Sequence, residues 1–162
     1  MKILFIVIGV LTTVAVIVYA WGSMLPVKHS ATFEADINGS PDEVWKRINE
    51  PAAFPTWRSD LKTVEVKSPA EWIEHGKYGD IPFRKEEVVP QQKLVTVINS
   101  KGLSFGGEWI YVLSANNKGT HISITENGEV YSPAFRFISK YFMGHNSSLK
   151  KYIADLQSSF KS

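Results

Sequence analysis

The stretch GTHISITENGEVYSPAFRFISKYFMG, residues 119–144, contains the sharpest change of pattern in the chain. Its first half alternates polar residues with Ile122 and Ile124, the period of a strand that is buried on one face. Ser132 and Pro133 then supply the N-cap and the first position of a helix. The stretch therefore predicts that a sheet strand ends here and that a long, aromatic-rich helix begins.

The predicted helix covers residues 133 to about 160 and carries apolar residues at alternating spacings of three and four. At about 1.5 Å per residue it would be roughly 40 Å long, enough to cross a sheet. Its first half is apolar on almost every side, so we expect that half to be enclosed on more than one side. The stripe consists of Phe135, Ile138, Phe142, His145, Leu149, Tyr152, Leu156 and Phe160.

Upstream of this junction the sequence predicts one strand, two short helices and six further strands. The first strand, residues 31–37, alternates apolar and polar side chains. A capping box built on Ser40 and Glu43 starts the first helix, and prolines keep the second one short. From Leu61 onward the strands are consecutive and separated by turn residues, a pattern typical of a curved antiparallel meander.

The beginning of the chain is an uncharged, strongly apolar segment. Residues 3–21 contain no Asp, Glu, Lys or Arg and would span roughly 28 Å as a helix, which suffices to cross a bilayer. The alternative is a cleaved signal peptide, since residues 18–20 offer small side chains near a possible cleavage site. The apolar run exceeds the usual ~7 to 15 residues of a signal core, which favours an uncleaved anchor.

This pattern predicts three parts in the chain. Residues 1–21 form a membrane anchor, residues 22–29 a short tether, and residues 30–162 one folded domain. With Lys2 held inside, we expect a single-pass membrane protein whose domain lies outside the cytoplasm.

Composition excludes several classes of function. Lys and Arg number 18 against 16 for Asp and Glu, and they are scattered, so no nucleic-acid partner is expected. The absence of cysteine excludes disulfides, thiolate nucleophiles and thiolate metal sites. The 4 histidines lack a mutual ligand spacing, and phosphate-binding and nucleophile-elbow motifs are missing. We therefore predict no metal and no cofactor.

Three motifs carry a resemblance to a known superfamily: INGSPDEVWKRINEPAAFPTW at 37–57, FGGEWIYVL at 105–113 and GTHISITENGEVYSPAFRF at 119–137. With them, the chain resembles the helix-grip superfamily called SRPBCC or START-like, and in particular its polyketide cyclase/dehydrase-like subgroup. The resemblance implies an α+β fold in which a curved, seven-stranded antiparallel sheet grips a long C-terminal helix around an apolar cavity. It also implies a hydrophobic small molecule or lipid as ligand, while the membrane anchor is an addition to the usual pattern.

On this resemblance we expect an aromatic cavity wall with a few polar residues at its end. The polar candidates are Glu126, Arg136 and His145. Arg136 falls in the first turn of the predicted helix, where the helix dipole disfavours a cation, so we expect it to pair with Glu126 or Glu129. His145 occupies the stripe that faces the sheet. The wall candidates are Phe33, Trp72, Phe83, Trp109, Tyr111 and, from the helix, Tyr141.

Three hypotheses for function remain open at this point. The first is membrane-tethered binding of a hydrophobic molecule without chemistry. The second is an enzyme of the cyclase or dehydratase type that uses Glu126 or His145 as acid or base. The third is an interaction module without a ligand, which predicts no sizeable cavity and an exposed apolar patch instead.

Overall fold

The computed structural model describes residues 1–77, 79–143 and 147–161, apart from the side chains of residues 142 and 143. Within this part of the chain an antiparallel sheet of seven strands is preceded in sequence by an N-terminal helix and followed by a C-terminal helical segment. The elements are α1 (Lys2–Met24), β1 (Lys28–Ile37), α2 (Pro41–Asn49), a 3₁₀ helix (Pro51–Thr56), β2 (Leu61–Ser68), β3 (Glu71–Gly76), β4 (Gly79–Val89), β5 (Lys93–Ile98), β6 (Phe105–Asn116), β7 (Gly119–Val130), α3 (Pro133–Ile138), a π-helical turn (Ser139–Met143) and α4 (Ser147–Ser158).

The strand order is β1-β7-β6-β5-β4-β3-β2, and every neighbouring pair is antiparallel. Strands β2 to β7 thus form the predicted meander, and β1 returns to pair with β7, where Phe33 lies opposite Ile124. The register shifts between Lys85 and Glu87 in β4, an irregularity of the kind that increases strand twist and bending. The predicted α+β helix-grip fold with its seven-stranded sheet is confirmed.

The predicted capping box is present at the start of α2. The Ser40 hydroxyl accepts a hydrogen bond from the Glu43 amide, and the Glu43 carboxylate accepts one from the Ser40 amide. This reciprocal arrangement satisfies donors that a helix start otherwise leaves unpaired. It fixes α2 so that Val44 and Ile48 are buried in the core.

The core lies between the sheet and α4. Leu149 and Leu156 of α4 are fully buried, as are Ile122 and Ile124 of β7, the residues predicted to face inward. Apolar burial of this kind is the main favourable term in the stability of the domain. The stripe predicted for the C-terminal half of the helix is therefore the face that grips the sheet.

The C-terminal helical segment is less regular than predicted. Instead of one helix, the structure shows the short α3, a π-helical turn at Ser139–Met143, and α4 from Ser147; residues 144–146 lie outside the described part. A π turn has a wider hydrogen-bonding pattern than an α-helix, so residues on either side of it no longer share one face. Ile138 accordingly leaves the predicted stripe and is 42% exposed.

The N-terminal helix is longer than predicted and packs closely on α3. It ends at Met24, and β1 begins at Lys28, so the expected tether of residues 22–29 shrinks to residues 25–27. The physical reason is a close approach: a Cβ on Gly22 would lie 1.9 Å from the carbonyl oxygen of Pro133. Only glycine permits the two backbones to meet there.

Arg136 holds the end of α1 in place. Its guanidinium donates a hydrogen bond of 2.6 Å to the carbonyl of Leu25, and the Val130 amide donates one of 2.9 Å to the carbonyl of Val27. The last carbonyls of a helix lack intrahelical partners and form the negative end of its dipole, so a cation is favoured there. The expected ion pair of Arg136 with Glu126 or Glu129 is therefore wrong: among the described residues Arg136 forms neither pair.

Candidate functional site

A cavity of about 230 Å³ lies between the inner face of the sheet and the helices α3 and α4. Its middle is apolar and aromatic, and polar side chains stand at both ends. The apolar lining residues are Leu61, Ile81, Phe83, Ile98, Phe105, Trp109, Val130 and Phe135. A concave space whose surface is mostly apolar is the usual form of a small-molecule site.

A buried ionic cluster forms one end of the cavity. The guanidinium of Arg58 lies 2.8 Å from a carboxylate oxygen of Glu74 and 2.9 Å from one of Asp60. The indole of Trp72 donates a further hydrogen bond of 3.1 Å to the same oxygen of Glu74. The side chains of Arg58 and Glu74 are only 11% and 5% exposed, so each charge depends on its partners in place of water.

The surroundings of Arg58 keep it cationic. Burial disfavours its charge, but the carboxylates of Glu74 and Asp60 outweigh burial and raise the pKa of Arg58 above its ordinary value. The guanidinium also lies 5.3 Å from the ring centre of Tyr152 and 5.5 Å from that of Phe54, within range of a cation–π attraction. Burial raises the pKa of Tyr152, which therefore stays neutral beside the cluster.

A histidine and a glutamate form the other polar end. Nε2 of His29 lies 3.7 Å from a carboxylate oxygen of Glu126, and the hydroxyl of Ser148 donates to the other oxygen at 2.9 Å. The imidazole lies over Gly128, where a Cβ would come within 2.3 Å of the ring. Burial lowers the pKa of His29, so the neutral imidazole is favoured. A neutral imidazole beside a carboxylate can accept or donate a proton.

Three of the residues proposed from sequence line this cavity, namely Phe83, Trp109 and Glu126. Glu126 is there because it continues the inward face of β7, as the alternation predicts. Its neighbours are His29 and Ser148, and not Arg136. Sequence reasoning missed His29 because that residue falls in the segment predicted as a tether, whereas β1 in fact begins at Lys28.

Three other candidates lie beside the cavity wall on the same face of the sheet. Trp72 is buried and stacks on Phe83 with ring centres 5.6 Å apart, and Tyr111 is buried with its ring 6.1 Å from that of Trp109. Phe33 packs against the same core. These residues hold the lining aromatics in position and are not themselves among the lining residues.

The three candidates from the C-terminal segment lie elsewhere. Arg136 borders a smaller recess of about 30 Å³ at the end of α1. Tyr141 is 51% exposed, in keeping with its position off the predicted stripe. His145 lies outside the described residues.

The ionic cluster should respond strongly to the loss of one carboxylate. Glu74→Gln removes a charge that compensates Arg58, and we expect it to cost about 3 kcal/mol, because a buried cation is then incompletely paired. Glu65→Gln is the matched control: Glu65 pairs with Lys67 at the surface, and its loss should cost at most about 0.5 kcal/mol. Thermal unfolding of the full chain in detergent measures both, and equal shifts in the two variants would contradict a role for the buried cluster.

His29 should make stability depend on pH. We expect its imidazole to titrate below the ordinary value of 6.5 in the folded protein. The unfolded chain then binds this proton more readily, so the contribution of His29 to stability is complete above pH 6.5 and is lost as the pH falls through the folded-state pKa. NMR titration of the imidazole, assigned with His29→Gln, measures the pKa. A value at or above 6.5, or unfolding curves whose pH dependence is unchanged in His29→Gln, would refute this.

Comparison with known proteins agrees with the fold. Residues 28–154 match the family described as polyketide cyclase / dehydrase and lipid transport. A START superfamily protein from Mycobacterium smegmatis has a similar structure, with 12% identity, a TM-score of 0.64, and coverage of 82% of this chain and 96% of that one.

Two further solved structures show the same likeness. A conserved protein from Geobacillus kaustophilus has 16% identity and a TM-score of 0.66 over 82% of this chain and 94% of its own. A protein from Mesorhizobium loti has 15% identity and a TM-score of 0.62 over 80% and 95%. At such identities the likeness establishes the fold alone. No curated protein shows significant sequence similarity to the chain.

Proposed function

Because the chain belongs to the polyketide cyclase/dehydrase and lipid transport family, we propose that it binds a hydrophobic small molecule or lipid while α1 tethers it to a membrane. The observation that carries this proposal is the cavity of about 230 Å³ with an aromatic middle. A module that bound no ligand would gain nothing from leaving this space unfilled, since unfilled space in a core costs stability.

The volume limits the class of ligand. Cavities for drug-sized ligands are typically about 300–1,000 Å³. The space of about 230 Å³ suits a small aromatic molecule or part of a single acyl chain, and it is too small to enclose both chains of a phospholipid.

The polar ends favour an amphipathic ligand. Arg58 is held by two carboxylates at one end, and His29 lies beside Glu126 at the other. Desolvated polar groups of this kind orient a ligand that offers matching donors and acceptors. We therefore expect an apolar body with one or two polar substituents.

The tether rests on the properties of α1. This helix has 23 residues, and its most apolar stretch of 18 residues has a mean hydropathy of 2.8 and no part buried in the protein. Apolar side chains left in water are unfavourable, whereas a bilayer buries them. The same composition also suits a signal sequence, but the close contact of Gly22 with Pro133 gives the retained helix a place in the fold.

The pair of His29 and Glu126 favours a second candidate, an enzyme of the cyclase or dehydratase type. Neutral imidazole and carboxylate at a desolvated cavity end are the groups that proton transfer requires. Glu126 was one of the two acid–base residues expected from sequence, and His29 takes the place considered for His145. The variant Glu126→Gln separates the two candidates. An enzyme converts a bound compound that the variant leaves unchanged, whereas a protein that only binds its ligand leaves the compound unchanged in both forms.

Filling the cavity should abolish binding. We expect Ile81→Trp, which places an indole into the space, to remove ligand that copurifies with the full chain in detergent. Val112→Trp is the control, because Val112 lies on the exposed face of β6. Native mass spectrometry measures the bound mass, and Nile red fluorescence reports on the cavity if the ligand is lost in purification. Equal binding in the two variants would overturn the proposal. So would an unaltered protein that neither retains a ligand nor binds Nile red.

A further inference from the structure

A group of exposed apolar side chains surrounds the end of α1. It consists of Met24, Val27, Tyr131, Ile138 and Tyr141, which are between 39% and 86% exposed. We refer to these five residues as the junction surface. They are held together by the contact of α1 with α3 and by the hydrogen bond from the Val130 amide to Val27.

The junction surface continues the apolar surface of α1. Tyr19 and Trp21 in the last turns of α1 are themselves exposed, and amphipathic rings are favoured at the boundary between lipid and water. Gly22 follows Trp21 directly and touches Pro133, the first residue of α3. Measured along the axis of α1, α3 therefore begins only about 1.5 Å beyond Trp21. The headgroup layer on each side of a bilayer is roughly 5 to 8 Å thick. A membrane crossed by α1 thus brings the start of α3 into that layer.

The residue types fit this position. Tyrosine and isoleucine place apolar surface at the boundary, and lysine can extend its charge toward headgroups while its stem stays in apolar surroundings. Lys140 lies 5.7 Å from the ring centre of Tyr141, and Lys28, next to Val27, is largely exposed, with its Nζ 3.4 Å from a carboxylate oxygen of Glu129. Lysines among exposed aromatics suit a surface that carries anionic lipid.

We propose that the junction surface lies in the headgroup layer of the bilayer that α1 crosses, so that its partner is a lipid surface. This proposal rests on the proposed membrane tether. The recess at the end of α1 shares His29, Val130 and Ser139 with the cavity. The side of the cavity next to α3 therefore faces the bilayer, and a hydrophobic ligand can pass between lipid and cavity there.

The absence of cysteine allows a direct test with single labels. Tyr141→Cys carries a bimane fluorophore, and the full chain is reconstituted in vesicles of phosphatidylcholine and phosphatidylglycerol that contain lipids spin-labelled near the headgroup. We expect quenching several-fold stronger than at Val88→Cys, a similarly exposed position near the opposite end of the sheet. Val14→Cys, in the middle of α1, reports separately whether the helix enters the bilayer, through lipids spin-labelled deep in the acyl chain.

The outcomes separate the two proposals. Strong quenching at Val14 with equally weak quenching at Tyr141 and Val88 overturns the junction surface and leaves the tether standing. No quenching at Val14 overturns the tether and with it this inference.

A second pair of variants tests the role of the docked helix. Gly22→Ala introduces a Cβ that meets Pro133, whereas Gly9→Ala meets nothing within 4 Å. We expect the first to reduce quenching at Tyr141 and the second to leave it unchanged. Equal quenching in both backgrounds would contradict the part assigned to the contact of α1 with α3.

Discussion

The burial of α4 on the sheet is the interaction on which the rest of the structure depends. Leu149 and Leu156 are completely buried in the core between α4 and the sheet. Ser148, Lys151 and Tyr152 of the same helix line the cavity. One short helix therefore supplies both the buried face that holds the sheet and part of the cavity lining. The sheet supplies a uniform curved surface, and the helix determines which part of it stays open.

The two polar ends differ in how freely they can respond to a ligand. Arg58 is fixed by two carboxylates and lies against the ring of Tyr152, so moving it would disturb several buried contacts together. At the end formed by His29 and Glu126 the two groups are 3.7 Å apart, and the imidazole is titratable. The first end acts as a rigid support, and the second can change its protonation state.

Much of this architecture can be predicted from the sequence because it follows from local patterns. Alternation places Ile122, Ile124 and Glu126 on the inner face, and the capping box fixes the start of α2. Both signals depend only on residues close together in the chain. The expectations that the domain forms one helix-grip unit and that Phe83 and Trp109 face the cavity also depend on the family resemblance.

The errors arise where distant segments meet. The partner of Arg136 is the backbone carbonyl of Leu25. No residue pattern predicts that α3 packs against the end of α1, which lies more than one hundred residues earlier in the chain. Tyr141 lies off the predicted stripe and is exposed, so its assignment to the cavity wall went beyond what helical periodicity supports. His29 was overlooked because the extension of β1 depends on pairing with β7 nearly one hundred residues later.

The connection between α1 and β1 also limits how far the domain can travel. Three residues, 25–27, span at most about 10 Å when extended, and hydrogen bonds to Leu25 and Val27 remove most of that slack. A domain held in this way cannot swing across a gap to a second membrane as a carrier on a long flexible linker can. If α1 crosses a bilayer as proposed, ligand exchange is confined to within one domain diameter of that bilayer. Delivery over a longer distance would then require another protein to approach that surface, and the proposed anchored protein would hold its ligand at one membrane instead of carrying it between two.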